Sequence, residues 1–342
     1  MKIAMFTDIH WGAKGNSVQH NADCEDYIIW FCQQVSDHGA DAIVFMGDWF
    51  ENRNAINVQT LNYSFRGLDR LNALNIPIWF CVGNHDLYHR SSRVEYSTFH
   101  FTRFQNVRLV NEQVVHDNMM FFPYIFKDEY PLAAAAICKH APKYVFGHFE
   151  FRNFIVTGSD RRMDHGPDHT LFQGPTHIFS GHFHKRQAND NIIYIGNTFP
   201  TNYGDAWDDA RGAAILDTSD DSVDFLDWED CPRYRKVRLS DVIGDTPIQF
   251  PKKCRVKCII DIDIGYSEAQ GIKDEMLKQL ELREFSLEEN STEKAAALAG
   301  EGTIDNFDIS SLNDAVISML RTKVVGTSTI EPARLIDIYN QL

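Results

Sequence analysis

The chain lacks the marks of a membrane protein, a disulfide scaffold or a zinc-finger module. In 342 residues no run approaches the roughly 18 consecutive apolar residues that a membrane-spanning helix needs. The seven cysteines (Cys24, Cys32, Cys81, Cys138, Cys231, Cys254, Cys258) are odd in number and include no C-x-x-C pair. A disulfide framework or zinc knuckle is therefore not expected, and a reducing cytoplasm is the expected compartment (the host cytoplasm if the chain is viral). Cys32 and Cys81 fall in apolar runs, where a reduced thiol packs as a small hydrophobe. The N-terminus shows no secretory cleavage pattern and runs straight into Thr7-Asp8, as a core strand would. Internal repeats and long low-complexity segments are missing too.

Positive charge is scarce. Against 33 Lys+Arg stand 48 Asp+Glu, a net charge of −15. Gripping a phosphate backbone is mainly electrostatic, so this balance disfavours a free-standing nucleic-acid binder. Bound divalent cations or a basic partner subunit would offset it. Four local clusters run against the trend: Arg161-Arg162, Lys185-Arg186, Arg233 to Arg238 and Lys252 to Lys257. A charge run is ordinarily a solvated face, so none is assigned a ligand here.

What is present is an ordinary globular composition, 44% hydrophobic and 24% charged, in a chain long enough for two or three units. Short apolar runs bounded by Gly, Asp or Asn predict strands at Lys2–Thr7, Ala42–Met46, Pro77–Val82, Val107–Val110, Met119–Pro123, Lys143–Phe146, His177–Ser180, Ile192–Ile195 and Ala213–Asp217. Helical spacing of Tyr27, Ile28, Phe31 and Val35, closed by Gly39, predicts a helix over about Ala22–His38. Further helices are expected near Val58–Leu74 and Pro131–His140. Strand–helix alternation in the first half, with closer-spaced and more antiparallel strands after it, predicts an α/β fold: a four-layer αββα sandwich.

The composition shifts after residue 238. An alternating run over 248–264 and a helix near Ser267–Arg283 predict a small α+β capping domain at 238–285, following a main domain at 1–237. Residues 286–308 are acidic, polar and rich in Gly and Ala, and read as a linker. The tail, 309–342, offers two short amphipathic helices near Ser310–Arg321 and Pro332–Leu342. Their apolar residues (Leu312, Val316, Met319 and Leu320, then Leu335, Ile336, Ile338 and Tyr339) have too little chain around them for a core of their own, so they must dock on the body or on a partner.

Five clusters of metal-ligand residues recur in order, each following a predicted strand: Asp8-Ile9-His10, Gly47-Asp48, Gly83-Asn84-His85-Asp86, Gly147-His148, and Gly181-His182 with His184. Asp8 and His10 reach one side of the chain together. Asp48 has two oxygens with which to bridge two metals, and Asn84 offers a neutral amide oxygen. With His148, His182 and His184 this makes seven plausible ligands, a mixed N/O set without thiolates. Such a set favours two Mn²⁺, with Mg²⁺ a possible substitute, over structural zinc. Paired metals about 3.5–4 Å apart stabilise both the attacking and leaving oxygens of an in-line phosphoryl displacement. His85 reads as a catalytic proton donor, since imidazoles exchange protons near neutral pH. Asp86 reads as the carboxylate that orients it by accepting its second N–H.

In this order D-x-H, G-D, G-N-H-D, G-H and G-H-x-H resemble the calcineurin-like metallophosphoesterase superfamily. Gly47-Asp48-Trp49-Phe50-Glu51 and Gly83-Asn84-His85-Asp86 look like its branch of SbcD-type DNA repair nucleases. The resemblance covers about residues 1–237 and implies the αββα fold. It implies one metal held by Asp8, His10, Asp48 and His184, and a second held by Asp48, Asn84, His148 and His182. It implies His85 as acid, DNA as substrate, and exonuclease and single-strand endonuclease activity in double-strand-break repair and recombination. It also implies an SMC-like coiled-coil ATPase gripped by the C-terminal helices, and a homodimer formed through helices near 57–75 and 91–104. Two rivals stand beside this reading. One is a small-molecule phosphodiesterase or phosphatase on the same fold, against which the appended C-terminal helices argue. The other is a non-catalytic scaffold subunit, against which seven intact ligands argue.

Overall fold

The computed structural model describes residues 1–156, 161–244 and 248–289. Numbered along the chain, β1 (Lys2–Phe6), β2 (Ala42–Met46), β3 (Ile78–Cys81) and β4 (Val107–Val110) pair in parallel. A second sheet holds β5 (Val114–His116), β6 (Met119–Tyr124), β7 (Tyr144–His148), β8 (His177–Gly181), β9 (Gln187–Asn189) and β10 (Ile192–Tyr194), in the order β5-β6-β7-β8-β10-β9. The chain then returns to the first sheet. There β11 (Gly212–Asp217) runs antiparallel beside β1, and β12 (Ser222–Asp227) lies outside it.

Alternation along each strand decides the layers, because successive side chains leave a strand on opposite faces. Ala4 and Phe6, Ile43 and Phe45, and Ile78 and Phe80 point to one core. There they meet Tyr27, Ile28, Phe31 and Val35 of the helix Val18–His38, and Leu68 and Leu71 of the helix Val58–Asn72. Their neighbours Ile3, Met5, Val44, Met46, Trp79 and Cys81 point the other way, onto Met119, Phe121, Tyr144, Phe146 and Phe179 of the second sheet. The far face of that sheet, with Met120, Phe122, Val145 and Ile178, packs on Tyr130, Ala133 and Ile137 of the helix Tyr130–His140. The result is the αββα sandwich that the sequence predicts. Strands buried on both faces read as unbroken apolar runs, which is why they are visible in the sequence.

Several expectations need correction. The antiparallel strands expected after the first half are β5, β9, β11 and β12, whereas β6, β7, β8 and β10 of the second sheet run parallel. The helix after β6 and the long connection over 149–176 supply the crossovers that parallel pairing requires. The first helix begins at Val18, one turn early, because Ser17 caps it by accepting a hydrogen bond from His20 N. Hydrogen bonds hold that first turn in place. Asn21 accepts from Gly12 N at 2.9 Å, and a His20 ring nitrogen lies 2.9 Å from the His10 carbonyl. Residues 91–104 do not form an α-helix; only Phe99–Arg103 is helical, as a 3-10 turn. Phe101 is driven into the core against Trp49 and Phe80, while Phe99 stays on the surface.

Residues 233–289 carry a third sheet of three parallel strands, β13 (Arg233–Arg238), β14 (Cys254–Ile260) and β15 (Glu284–Glu289). The helix Tyr266–Gln279 ends four residues before Arg283, whose guanidinium instead spans both oxygens of buried Asp23 at 2.5 and 2.6 Å. Strand β15 runs past residue 286, where the linker was expected to begin, because Phe285 and Leu287 complete the small core of this sheet. The two C-terminal helices expected near 310–321 and 332–342 lie outside the described residues. All seven cysteines are unpaired, and no described helix is long and apolar enough to cross a membrane.

Candidate metal centre

Strands β1, β2 and β3 of one sheet and β7 and β8 of the other end side by side, and each cluster sits at such an end. Ligands of open α/β sheets gather at the carboxyl ends of strands for this reason. The turns after β1 and β2 stay locked together: Asp8 N donates to Gly47 O at 3.0 Å and His10 N to Asp48 O at 3.2 Å. Four of the seven expected ligands have left-handed backbone, Asp8 at φ 53°, His10 at 50°, Asp48 at 61° and His182 at 87°. Non-glycine residues seldom adopt that region, and strain of this kind gathers at functional sites. The glycines allow the close approach. A Cβ on Gly83 would stand 2.1 Å from Asp48 N, and one on Gly47, itself at φ 99°, would stand 2.5 Å from His148 Nδ1.

All seven side chains come together. His10 Nε2 and His184 Nε2 are 3.2 Å apart, and Asp8 Oδ1 is 3.7 Å from each. Asn84 Oδ1 lies 2.8 Å from His148 Nε2 and 3.1 Å from His182 Nδ1. Asp48 stands between the two groups, its Oδ2 being 3.7 Å from His10 Nε2 and 3.5 Å from His148 Nε2. Both Asp8 and Asp48 are buried. Buried carboxylates need compensating charge.

The electrostatics fit a cation centre. Burial alone would raise Asp48, yet His148, His85 and His10 hold its carboxyl well below the usual range. Burial likewise disfavours a charged His148, but Asp48 overrides it and pushes the imidazole up to about 9. Against the same burial, Asp8 and Glu51 raise His10 well above its ordinary value. His184 goes the other way, down to about 4, because burial and the neighbouring His10 outweigh Asp8. The buried carboxylates therefore place a demand for positive charge on the cluster. Two divalent cations on this N/O donor set would meet that demand directly.

Asp86 departs from its expected role. It does not touch the His85 ring. Its Oδ2 accepts Gly83 N (2.9 Å) and Asp48 N (3.1 Å), and its Oδ1 accepts Trp49 N (3.0 Å) and Phe50 N (3.1 Å). The left-handed Asp48 curls the turn after β2 so that consecutive N–H groups aim at one point, and Asp86 fills it. Burial and the Asp48 charge push Asp86 up to about 7, while the N–H donors pull the other way. His85 Nδ1 instead lies 2.8 Å from the Glu51 carbonyl oxygen, and the His85 ring meets the His10 ring edge-on at 4.9 Å. His85 N donates to Asp48 Oδ1 at 2.8 Å.

Two carboxylates at the site have no role in the sequence reading, although Glu51 falls within the Gly47-to-Glu51 motif. Glu51 Oε2 is 2.8 Å from His10 Nδ1, and Glu150 Oε2 is 3.1 Å from His182 Nε2. They stand three residues beyond Asp48 and two beyond His148. Trp49 and Phe50 are core residues. The basic clusters are largely paired within the chain: Arg233 and Arg235 with Asp209, Lys253 with Asp26, Arg255 with Glu284 and Lys257 with Glu288.

The chain is 24% identical over 231 residues to "Exonuclease subunit 1" of Enterobacteria phage T4, covering 66% of this chain and 67% of that protein. It is 29% identical over 181 residues to "Putative phosphoesterase 078R" of Invertebrate iridescent virus 3, covering 48% and 49%. Among solved structures, a dimetal phosphatase from Danio rerio matches 63% of this chain and 91% of its own at 10% identity, with a TM-score of 0.38. The model of the calcineurin-like phosphoesterases matches residues 1–186, which is more than half of the chain and includes every expected ligand. By that match, the chain belongs to the calcineurin-like phosphoesterase family.

Proposed function

We propose that this chain is a Mn²⁺-dependent DNA nuclease, exonuclease and single-strand endonuclease, acting with an SMC-like ATPase in double-strand-break repair, recombination and DNA end processing. The observation that carries the hydrolytic part is the convergence of seven N/O donors around Asp48. Asp8, His10, Asp48 and His184 would hold one ion and Asp48, Asn84, His148 and His182 the other. When bound, the pair supplies charge stabilisation for the attacking and leaving oxygens of an in-line displacement at phosphorus. His85 has Nδ1 engaged by the Glu51 carbonyl, which leaves Nε2 to protonate the departing sugar oxygen. Support for DNA comes from the relative whose name is that of an exonuclease subunit.

The pairing of the basic clusters favours the rival, a small-molecule phosphodiesterase or phosphatase, because the cations of those clusters are largely answered by acids of the same chain and so track a DNA backbone less strongly. One assay separates the two readings. Purified protein with Mn²⁺ is given double-stranded DNA, single-stranded DNA or a small aryl phosphodiester, each with and without the ATPase subunit. DNA cleavage that the ATPase stimulates is expected. Turnover of the small ester with no cleavage of either DNA would overturn the nuclease reading.

A homodimer through residues 57–75 and 91–104 belongs to the same reading, supported by Val58 at 74% exposure and Val94 at 85%. Light scattering of the full chain and of a chain lacking residues 310–342 tests both assembly proposals. The dimer mass should persist in the truncated chain while co-elution with the ATPase is lost. A monomer mass for the full chain, or co-elution retained by the truncated chain, contradicts the respective proposal.

A further inference from the structure

An imidazole that faces a cation through one nitrogen must carry its proton on the other, and what accepts that proton fixes the ring's tautomer and angle. His148 turns Nε2 inward toward Asn84 and Asp48, and its Nδ1 lies 2.7 Å from the Met46 carbonyl. His10 also turns Nε2 inward, yet it has Glu51 at its outer nitrogen. His182 is reversed, with Nδ1 inward toward Asn84 and Nε2 outward onto Glu150. The two histidines use opposite nitrogens, and a carboxylate stands behind each.

We propose that Glu51 and Glu150 are positioning residues, one behind each half of the metal centre, which set the metal-facing nitrogen of His10 and of His182. The inference rests on the dimetal reading and is independent of whether DNA is the substrate. Neither glutamate contacts the seven donors' shared space; each reaches it only through a histidine. Each is itself anchored. Glu51 lies where the backbone of β1's following turn meets that of β2's, with its N–H donating to Trp11 O at 3.0 Å. Its carbonyl takes His85 Nδ1, so one residue ties a ligand ring to the ring of the proposed acid. Glu150 N–H donates to the Tyr130 hydroxyl at 2.7 Å, and its second oxygen, Oε1, is 3.2 Å from His165 Nε2. A carboxylate does more here than a carbonyl could. Its charge strengthens the imidazole as a donor toward a cation, and it refuses the tautomer that would place a lone pair outward.

The test is Mn²⁺ binding to the full chain without substrate, followed by calorimetry and by the paramagnetic signal of free Mn²⁺. Wild-type protein should bind two equivalents. E51A and E150A should each weaken one of the two binding steps about 10–100-fold and leave the other near its wild-type value. E51Q and E150Q, which keep an acceptor oxygen but lose the charge, should recover only part of that loss, and thermal unfolding of the Gln variants checks that the fold is intact. A double-mutant cycle assigns the halves: E51A should add little to H10A but should multiply with H182A, and E150A should show the reverse. Wild-type affinity at both steps in E51A and E150A overturns the proposal. So does a third equivalent that E51A abolishes, because donor atoms of His10, Glu51 and His85 lie within 4.8 Å of one another and Glu51 would then be a ligand itself. A wild-type chain that fails to bind two equivalents removes the dimetal reading and this inference with it.

Discussion

Asp86→Asn is expected to lower the melting temperature by about 6–12 °C, from a loss of about 3 kcal/mol at about 2–4 °C per kcal/mol in a domain of this size. Asp86 is fully buried and accepts four backbone N–H groups, two on each oxygen. An asparagine has the same shape but only one acceptor atom. Whichever way its amide is turned, its NH₂ must face two N–H donors, either those of Gly83 and Asp48 or those of Trp49 and Phe50. Two buried donors then lose their partner, and a third is forced against them. The turn that carries Asp48 has to open, so Mn²⁺ affinity should fall together with stability. Thermal unfolding with and without Mn²⁺ measures both. An orienting partner of His85 would behave otherwise, costing turnover while leaving the melting temperature in place. An unchanged melting temperature in the asparagine variant would therefore restore the role that the sequence suggested for Asp86.

That reversal marks where sequence reasoning stopped. The seven ligand candidates were legible because each is a polar residue set directly at the end of an apolar run, and β1, β2 and β3 are apolar on both faces. Asp86 shares that pattern, but its partners are backbone N–H groups, and no side-chain pattern records where a curled turn aims them. Glu51 and Glu150 were hidden for a related reason. Each is partly exposed and acidic in a chain already rich in acid, and only the fold brings it behind a ring. Strands β5 and β9 have three residues each and lie at sheet edges, so they carry too few apolar positions to show a period. Strand β12 alternates, but with acids and half-exposed hydrophobics on an outer edge. The parallel pairing of β7 with β8 needs a crossover between them, and no helical period in the sequence announces one.

The basic clusters show the same limit from the other side. In the sequence they read as solvated faces, with no partner to assign them. In the fold, Arg235 reaches Asp209 and Lys257 reaches Glu288, partners about thirty residues away that share the capping sheet or its approach. A charge cluster in one stretch of sequence is thus answered by acids in another. Divalent ions at the centre, or a basic partner subunit, would supply positive charge that these paired clusters do not offer to a polyanion.

His85→Ala is expected to reduce kcat on DNA by about 10²–10⁴-fold while leaving both Mn²⁺ equivalents bound. The reasoning starts from what alanine removes and what it keeps. The His85 backbone N–H that holds Asp48 Oδ1 at 2.8 Å survives the substitution. The Asp86 anchor beneath the turn survives as well, so the carboxylate between the two halves keeps its place. What disappears is the ring, edge-on to His10 and tethered at Nδ1 by the Glu51 carbonyl. A group with that history can act only at its other nitrogen, and the step that wants a proton there is departure of an alkoxide. The leaving group gives the decisive comparison. A sugar oxygen leaves as a strong base and needs protonation, whereas an aryl oxide of low pKa leaves unaided. The variant should therefore lose its full factor on DNA and far less on an aryl phosphodiester under the same Mn²⁺ concentration. Equal losses on both substrates would mean that the ring shapes the site without supplying a proton. A wild-type rate on DNA would remove His85 from the mechanism altogether.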